Sequence, residues 1–230
     1  VIEAIKYSAY AVDRKPVLTW LSSLDFEKDP KKVKELSRYD GIIVPGGFGS
    51  RGIEGKIKVI EYARTHKIPY FGLCYGMQLL VIEYARNVLG LTGANTREVD
   101  PKAKYMIIDI MEDQKAKVAE HKLGGSMRLG AYPAKLIKGS VAERAYKSIA
   151  ISERHRHRYE VNNAYRDQLT KAGLVFSGTS PDGMLAEIAE LPRAVHPFFL
   201  GTQFHPEFKA RPLTPHPLFT AFVKACIILK

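Results

Sequence analysis

Cys74 lies in the segment PYFGLCYGMQLL, with Gly72 and Gly76 two residues away on either side. The apolar residues before it fit a strand and those after it fit a helix. G-x-C-x-G between strand and helix has the spacing of a nucleophile elbow. Small flanking residues let the chain turn sharply there, which pushes the reactive side chain out of the sheet. The sulfur then sits at the N-terminus of the next helix, whose dipole favours thiolate over thiol. The same pentapeptide also fits a glycine-flanked core cysteine. Cys226, in the apolar stretch AFVKACIILK, reads as a buried structural thiol.

A thiolate needs a proton partner. TQFHPEF offers His205 just after a strand, with Glu207 two residues on. A neighbouring carboxylate can hold a histidine in one tautomer. Alone, the segment reads as a surface His–Pro turn. Acyl transfer also needs donors for an oxyanion, and GIIVPGGFGSRG ends a strand with Gly46, Gly47, Gly49 and Gly52. Such a loop can turn backbone N–H groups inward. The Lys-Ser/Thr of a P-loop is absent, which argues against a phosphate loop.

These groups need a frame that gathers them. Residues 1–12 show helical spacing, 16–21 a short strand, and Asp29–Pro30 the start of a helix through KKVKELSRY. Strands at 41–47 and 68–73 alternate with helices at 53–66 and 76–89, the latter capped by Gly90. Alternation of this kind predicts a parallel sheet with helices on its faces. In such sheets, reactive groups collect at the carboxyl ends of strands. The second half predicts strands at 105–111, 127–136, 148–153, 157–161, 174–180, 184–190 and 198–204. A helix at 164–172 interrupts them, and a last one spans about 216–229. The expected fold is α/β: a central, mostly parallel sheet with helices on both faces, extended by antiparallel strands. One domain over residues 1–230 is expected, with no repeat or linker.

The net charge is 35 − 24 = +11 over 230 residues. By successive fifties it runs +1, +2, +5 and 0, with +3 in the last thirty, so no block forms a basic arm. A nucleic-acid binder more often carries a basic stripe; dispersed charge fits solubility or anionic small molecules. No apolar run nears the roughly 20 residues of a membrane span, and no signal peptide is visible. A cytoplasmic location is expected. Arg154, Arg156 and Arg158 alternate, so on a strand they share one face, with His155 and His157 on the other. That His pair lacks a third ligand nearby, and no metal is expected. His66, His121, His196 and His216 carry no special signal. Gln78 and Glu98, taken singly, read as exposed helix or loop residues, and Met77 and Met127 as packing residues.

Taken together, these residues resemble the class I (triad) glutamine amidotransferases. Gly72, Cys74, Gly76 and Gln78 match that family's G-x-C-x-G-x-Q, Pro45-Gly46-Gly47 its oxyanion loop, and His205-Pro206-Glu207 its His-Pro-Glu. PGGFGSRGIEGKI, GGSMRLG (124–130), ERHRHRYEVN (153–162) and QFHPEF are similar to the glutaminase domains of the CTP synthase family. The likeness covers essentially the whole chain. Tyr75 stands where the family usually has Leu, and 112–123 looks divergent.

The resemblance implies that Cys74, His205 and Glu207 form a triad that hydrolyses L-glutamine through a γ-glutamyl thioester. Backbone N–H groups of Gly47 and Tyr75 would form the oxyanion hole. Gly47, Tyr75, Gly76, Met77, Gln78, Glu98 and Arg158 would hold glutamine, with Glu98 on its ammonium and Arg158 on its α-carboxylate. It implies no cofactor in this domain. ATP, Mg and UTP would act in a synthetase domain of the same polypeptide, N-terminal to this chain and absent from it, within a homo-tetramer. No nucleic acid or membrane partner is implied. A γ-glutamyl hydrolase, another class I amidotransferase, and a non-enzymatic nucleic-acid-binding or assembly module stay open.

Overall fold

The computed structural model describes residues 1–110 and 127–228. Its first elements are helices α1 (Ile2–Tyr10) and α2 (Ser23–Lys28), then a 3-10 helix over Pro30–Arg38. Strand β1 (Ile42–Val44), helix α3 (Ile53–Thr65), strand β2 (Tyr70–Leu73) and helix α4 (Tyr75–Asn87) alternate as their apolar spacing predicts. Strands β3 (Ala94–Thr96), β4 (Tyr105–Ile110) and β5 (Arg128–Leu136) follow, then α5 (Val141–Tyr146). After β6 (Ala150–His157) and β7 (Tyr159–Val161) come α6 (Arg166–Lys171), β8 (Val175–Thr179), β9 (Ala186–Glu190) and β10 (Phe199–Thr202). A single 3-10 turn, Pro206–Phe208, precedes α7 (Pro217–Ile228).

The larger sheet has the order β1-β2-β10-β9-β8-β5-β6. Strands β1, β2 and β10 run parallel. From β10 outward every pairing is antiparallel. The fold is therefore α/β with a mixed sheet, its parallel part confined to three strands. A smaller sheet, β3-β4-β7, stands apart. Alternation along β2 and β10 divides the core between the two faces of the larger sheet. Tyr70 and Phe199 join the cluster under α3 and α4. Phe71, Leu73 and Leu200 join the one under α1 and α7, with Phe219 and Phe222. Helix α4 packs against β2 and β10 on one side and β3 and β4 on the other. This explains why it is buried continuously from Tyr75 to Ala85. Among the described residues no helix is long and apolar enough to cross a membrane.

Several expected elements differ. No strand forms at 16–21. The segment begins with Pro16 and finds no ladder partner, so Val17 and Trp20 stand 91% and 75% exposed beside an apolar hollow that they line with Ile2 and Phe222. The segment after Asp29 winds as a 3-10 rather than an α-helix, with the Asp29 side chain capping the Lys31 N–H. The strands expected at 148–153 and 157–161 are one strand through His157, a break at Arg158, and a short strand in the other sheet. Met111, the divergent stretch 112–123 with His121, and the first three residues of GGSMRLG lie outside the described residues.

Candidate active site

Three adjacent parallel strands end at one edge of the sheet. Strand β1 leads into Pro45-Gly46-Gly47, β2 into Cys74, and β10 into Gln203 and His205. The registers Val44↔Gly72 and Gly72↔Gly201 set the three ends level.

The elbow is strained, as its spacing predicts. Cys74 has φ +51° and ψ −99°, a region that non-glycine residues rarely occupy. It is held there from both sides. Its N–H donates to Thr202 at 2.6 Å, and its carbonyl accepts from Met77 and Gln78 at 3.0 and 3.2 Å. Gly72 and Gly76 are small because the chain crosses itself here. A methyl group on Gly72 would stand 2.6 Å from the Gly76 carbonyl carbon, and one on Gly76 would fall onto the Val44 carbonyl oxygen.

The sulfur is enclosed; Cys74 is 6% exposed. Its thiol donates to the Arg156 carbonyl at 3.9 Å, and Gln203 Nε2 donates to it at 3.7 Å. Burial pushes the thiol up to about 12, Glu207, Glu160 and Glu98 push the same way, and the Tyr75 N–H opposes them. The expectation that the helix end favours thiolate is thus outweighed by desolvation of the buried sulfur.

His205 Nδ1 stands 2.8 Å from Glu207 Oε1. With the N–H donated to the carboxylate, Nε2 is left to exchange protons with the reacting groups. The imidazole stacks on Phe208 at 5.0 Å and lies so close over Gly46 that a methyl there would reach Cε1 at 2.7 Å. Gly46 is therefore glycine to seat the histidine. The His205 N–H donates to the Arg154 carbonyl at 2.8 Å. The carbonyls of Arg154 and Arg156 thus both face the site from one edge of β6, while their side chains are exposed. Backbone carbonyls leave no mark in residue type, and this contribution was not legible.

The remaining expected residues fall into three groups. Gly47, Tyr75 and Glu98 meet around the loop: Tyr75 packs near Gly47, and Glu98 accepts the Gly49 N–H at 3.0 Å. Gln78 is buried at 3% rather than exposed, and Met77 is fully buried, as a packing residue would be. Gln78 Nε2 donates to the Tyr159 carbonyl at 3.0 Å and to Gln203 Oε1 at 3.2 Å, so both its N–H groups are engaged within the protein. Met77 packs over Gly201. Arg158 is half-buried at the break between β6 and β7.

The opposite face of β6 carries a buried charge cluster. Glu187 accepts from Arg128 at 2.6 Å and lies 2.6 Å from His155 Nε2. His157 lies 3.3 Å from Glu160, and burial, with His155, Arg128 and His205 nearby, holds it well below the usual histidine range. Both histidines lie against carboxylates, and among the described residues no set of three His, Cys, Asp or Glu is placed to hold a metal.

A family model described as glutamine amidotransferase class-I matches residues 1–225. The CTP synthase of Saccharopolyspora erythraea is 54% identical over 228 residues, which make up 99% of this chain and 40% of that protein. The CTP synthase of Nocardia farcinica is 54% identical over 231 residues, with 100% of this chain and 40% of that protein covered. The chain thus spans about 40% of the length of these curated relatives. A solved glutaminase domain of Trypanosoma brucei CTPS, with bound acivicin, superposes with a TM-score of 0.91 at 36% identity, covering 99% of this chain and 86% of that one.

Proposed function

This chain belongs to the class-I glutamine amidotransferases, as a glutaminase domain of the CTP synthase kind, and from that premise we propose that it hydrolyses L-glutamine to L-glutamate and ammonia with Cys74 as nucleophile. The carrying observation is the His205–Glu207 pair, seated on Gly46 at the end of the strand beside Cys74.

Cys74 passes its proton to His205 and attacks the side-chain carbonyl carbon. N–H groups of Gly47 and Tyr75 receive the oxyanion. As the C–N bond breaks, His205 returns the proton to the departing ammonia, leaving a γ-glutamyl thioester. Water then gives a proton to His205 and attacks the thioester; glutamate leaves and the thiol is restored. Glu207 orients the imidazole and stabilises its cation. The Arg158 fork binds the α-carboxylate and Glu98 the ammonium, while Gly76, Met77 and Gln78 wall the pocket. Ammonia would pass to a synthetase domain, where ATP with Mg activates UTP for amination to CTP, in a tetrameric assembly. That destination rests on the relatives' identity, not on residues of this chain. The whole of 1–230 is proposed as the glutaminase unit.

Acivicin, bound by the trypanosomal domain, is the probe. An adduct on Cys74, lost in Cys74→Ala, is expected by mass spectrometry, together with glutamate release from glutamine. Absence of both would overturn the reading. Arg158→Ala separates the proposed reading from a γ-glutamyl hydrolase. Loss of the carboxylate clamp raises KM for free glutamine at least tenfold, about 1.4 kcal/mol or more. An unchanged KM would favour the hydrolase.

A further inference from the structure

We propose that Gln203 is a catalytic residue of this site, its amide N–H donating to the Cys74 sulfur and stabilising the attacking thiolate. This rests on the reading of Cys74 as nucleophile. Gln203 is fully buried one residue beyond β10, between Thr202 and Phe204, which are also fully buried. Its Nε2 lies 3.7 Å from Sγ.

The amide cannot turn around at no cost. Gln78 aims an N–H at Gln203 Oε1, and its other N–H is held by the Tyr159 carbonyl. Reversing Gln203 would set two NH₂ groups against each other and turn a carbonyl oxygen toward the sulfur. The chain of bonds from Tyr159 through Gln78 to Gln203 therefore presents a donor, and only a donor, to Cys74. It also gives Gln78, whose N–H groups are both engaged, a positioning role distinct from contact with glutamine.

The sulfur's other neighbours make such a donor useful. Glu207 follows β10 beside His205, Glu160 comes from β7, and Glu98 from the turn after β3; all three carboxylates raise the thiol. The Arg156 carbonyl accepts the thiol proton and repels the sulfur once that proton leaves. Against these stand the Tyr75 N–H, at the start of α4, and the Gln203 amide. An amide does not titrate, so its contribution persists whatever the protonation state of His205.

The test is the rate of iodoacetamide alkylation of Cys74 across neutral to alkaline pH, resolved by peptide mass spectrometry. Cys226 in the same chain is the internal control. Gln203→Met keeps the volume and removes the donor. It is expected to make Cys74 react about tenfold more slowly at each fixed pH at which the chain is folded, all of them below the thiol's midpoint. Cys226 keeps its profile, and kcat for glutamine falls by a similar factor with KM little changed. Gln203→Leu, of another shape, removes the same donor without adding charge and slows alkylation likewise. It carries the test if the Met variant loses its thermal unfolding transition. A wild-type alkylation rate in the variant that folds would overturn the proposal. A parent chain unable to hydrolyse glutamine would instead overturn the underlying reading, and the alkylation profile would still report the donor's effect.

Discussion

The Tyr75 hydroxyl donates to the Gly49 carbonyl at 2.7 Å, joining the helix that starts just after Cys74 to the loop that follows β1. The N–H of the same glycine donates to Glu98. Both polar groups of one loop residue are thus taken by side chains from two other elements, and Lys56 lies 5.5 Å over the Tyr75 ring. Where the family usually has Leu after the cysteine, this chain carries a tie that holds the glycine loop after β1. Tyr75→Phe is expected to cost about 1–3 kcal/mol by leaving a part-buried carbonyl unpaired. It should lower kcat several-fold while acivicin still labels Cys74. Urea unfolding and steady-state kinetics check it; wild-type values in both would refute the tie.

The glycines divide by what surrounds them. Gly76→Ala meets the Val44 backbone, which cannot withdraw, and Gly72→Ala meets the backbone of Gly76. Both are expected to destabilise by more than about 3 kcal/mol or to prevent folding. Gly47→Ala finds only a Tyr75 ring carbon at 3.6 Å and should fold within about 1 kcal/mol of the parent. Thermal melts of the three variants side by side would show the contrast.

Glu187 is fully buried between Arg128 and His155. Glu187→Ala strands the Arg128 guanidinium, which has Glu160 only at 3.9 Å as a second carboxylate. A loss of about 3–5 kcal/mol is expected, against less for the double replacement Arg128→Met with Glu187→Leu. Chemical denaturation of the single and double variants measures the difference. Equal losses would mean that the cluster acts by packing alone.

Alkaline pH is expected to destabilise the chain through four acidic side chains raised by burial. Cys74 and Cys226 are each pushed up to about 12 by burial, and Tyr70 and Tyr146 are raised well above the usual phenol range. All four hold protons in the fold that the unfolded chain releases from roughly pH 8.5–10 upward. The folded state therefore binds more protons there, and stability falls as pH rises. The stabilisation is full below the unfolded values and is lost through about pH 12. Urea midpoints at increasing pH should decline over this window, and Cys74→Ser should make the decline shallower.

The residues proposed to do chemistry were legible because each sits in a local pattern. G-x-C-x-G requires a turn whose sterics admit only glycine beside the cysteine, and the φ of Cys74 and the crowding at Gly72 and Gly76 follow from it. His205 with Glu207 is a pair two residues apart, so its hydrogen bond needs little tertiary help. Alternation along 153–157 likewise assigned the arginines and histidines to opposite faces, as their burial bears out.

The sequence could not tell where those faces lead. Whether 16–21 forms a strand depends on a ladder partner, and a strand-like composition does not supply one. That Gln78 is buried, and that it holds Gln203 rather than facing water, follows from α4 being enclosed between two sheets. The meeting of the Arg154 and Arg156 carbonyls with His205 and Cys74 joins residues far apart in the chain through backbone atoms, which every residue has alike. Local sterics and periodicity are written in residue types. The protonation of Cys74 is decided by burial and by carboxylates from three separate segments, and only the tertiary structure sets those.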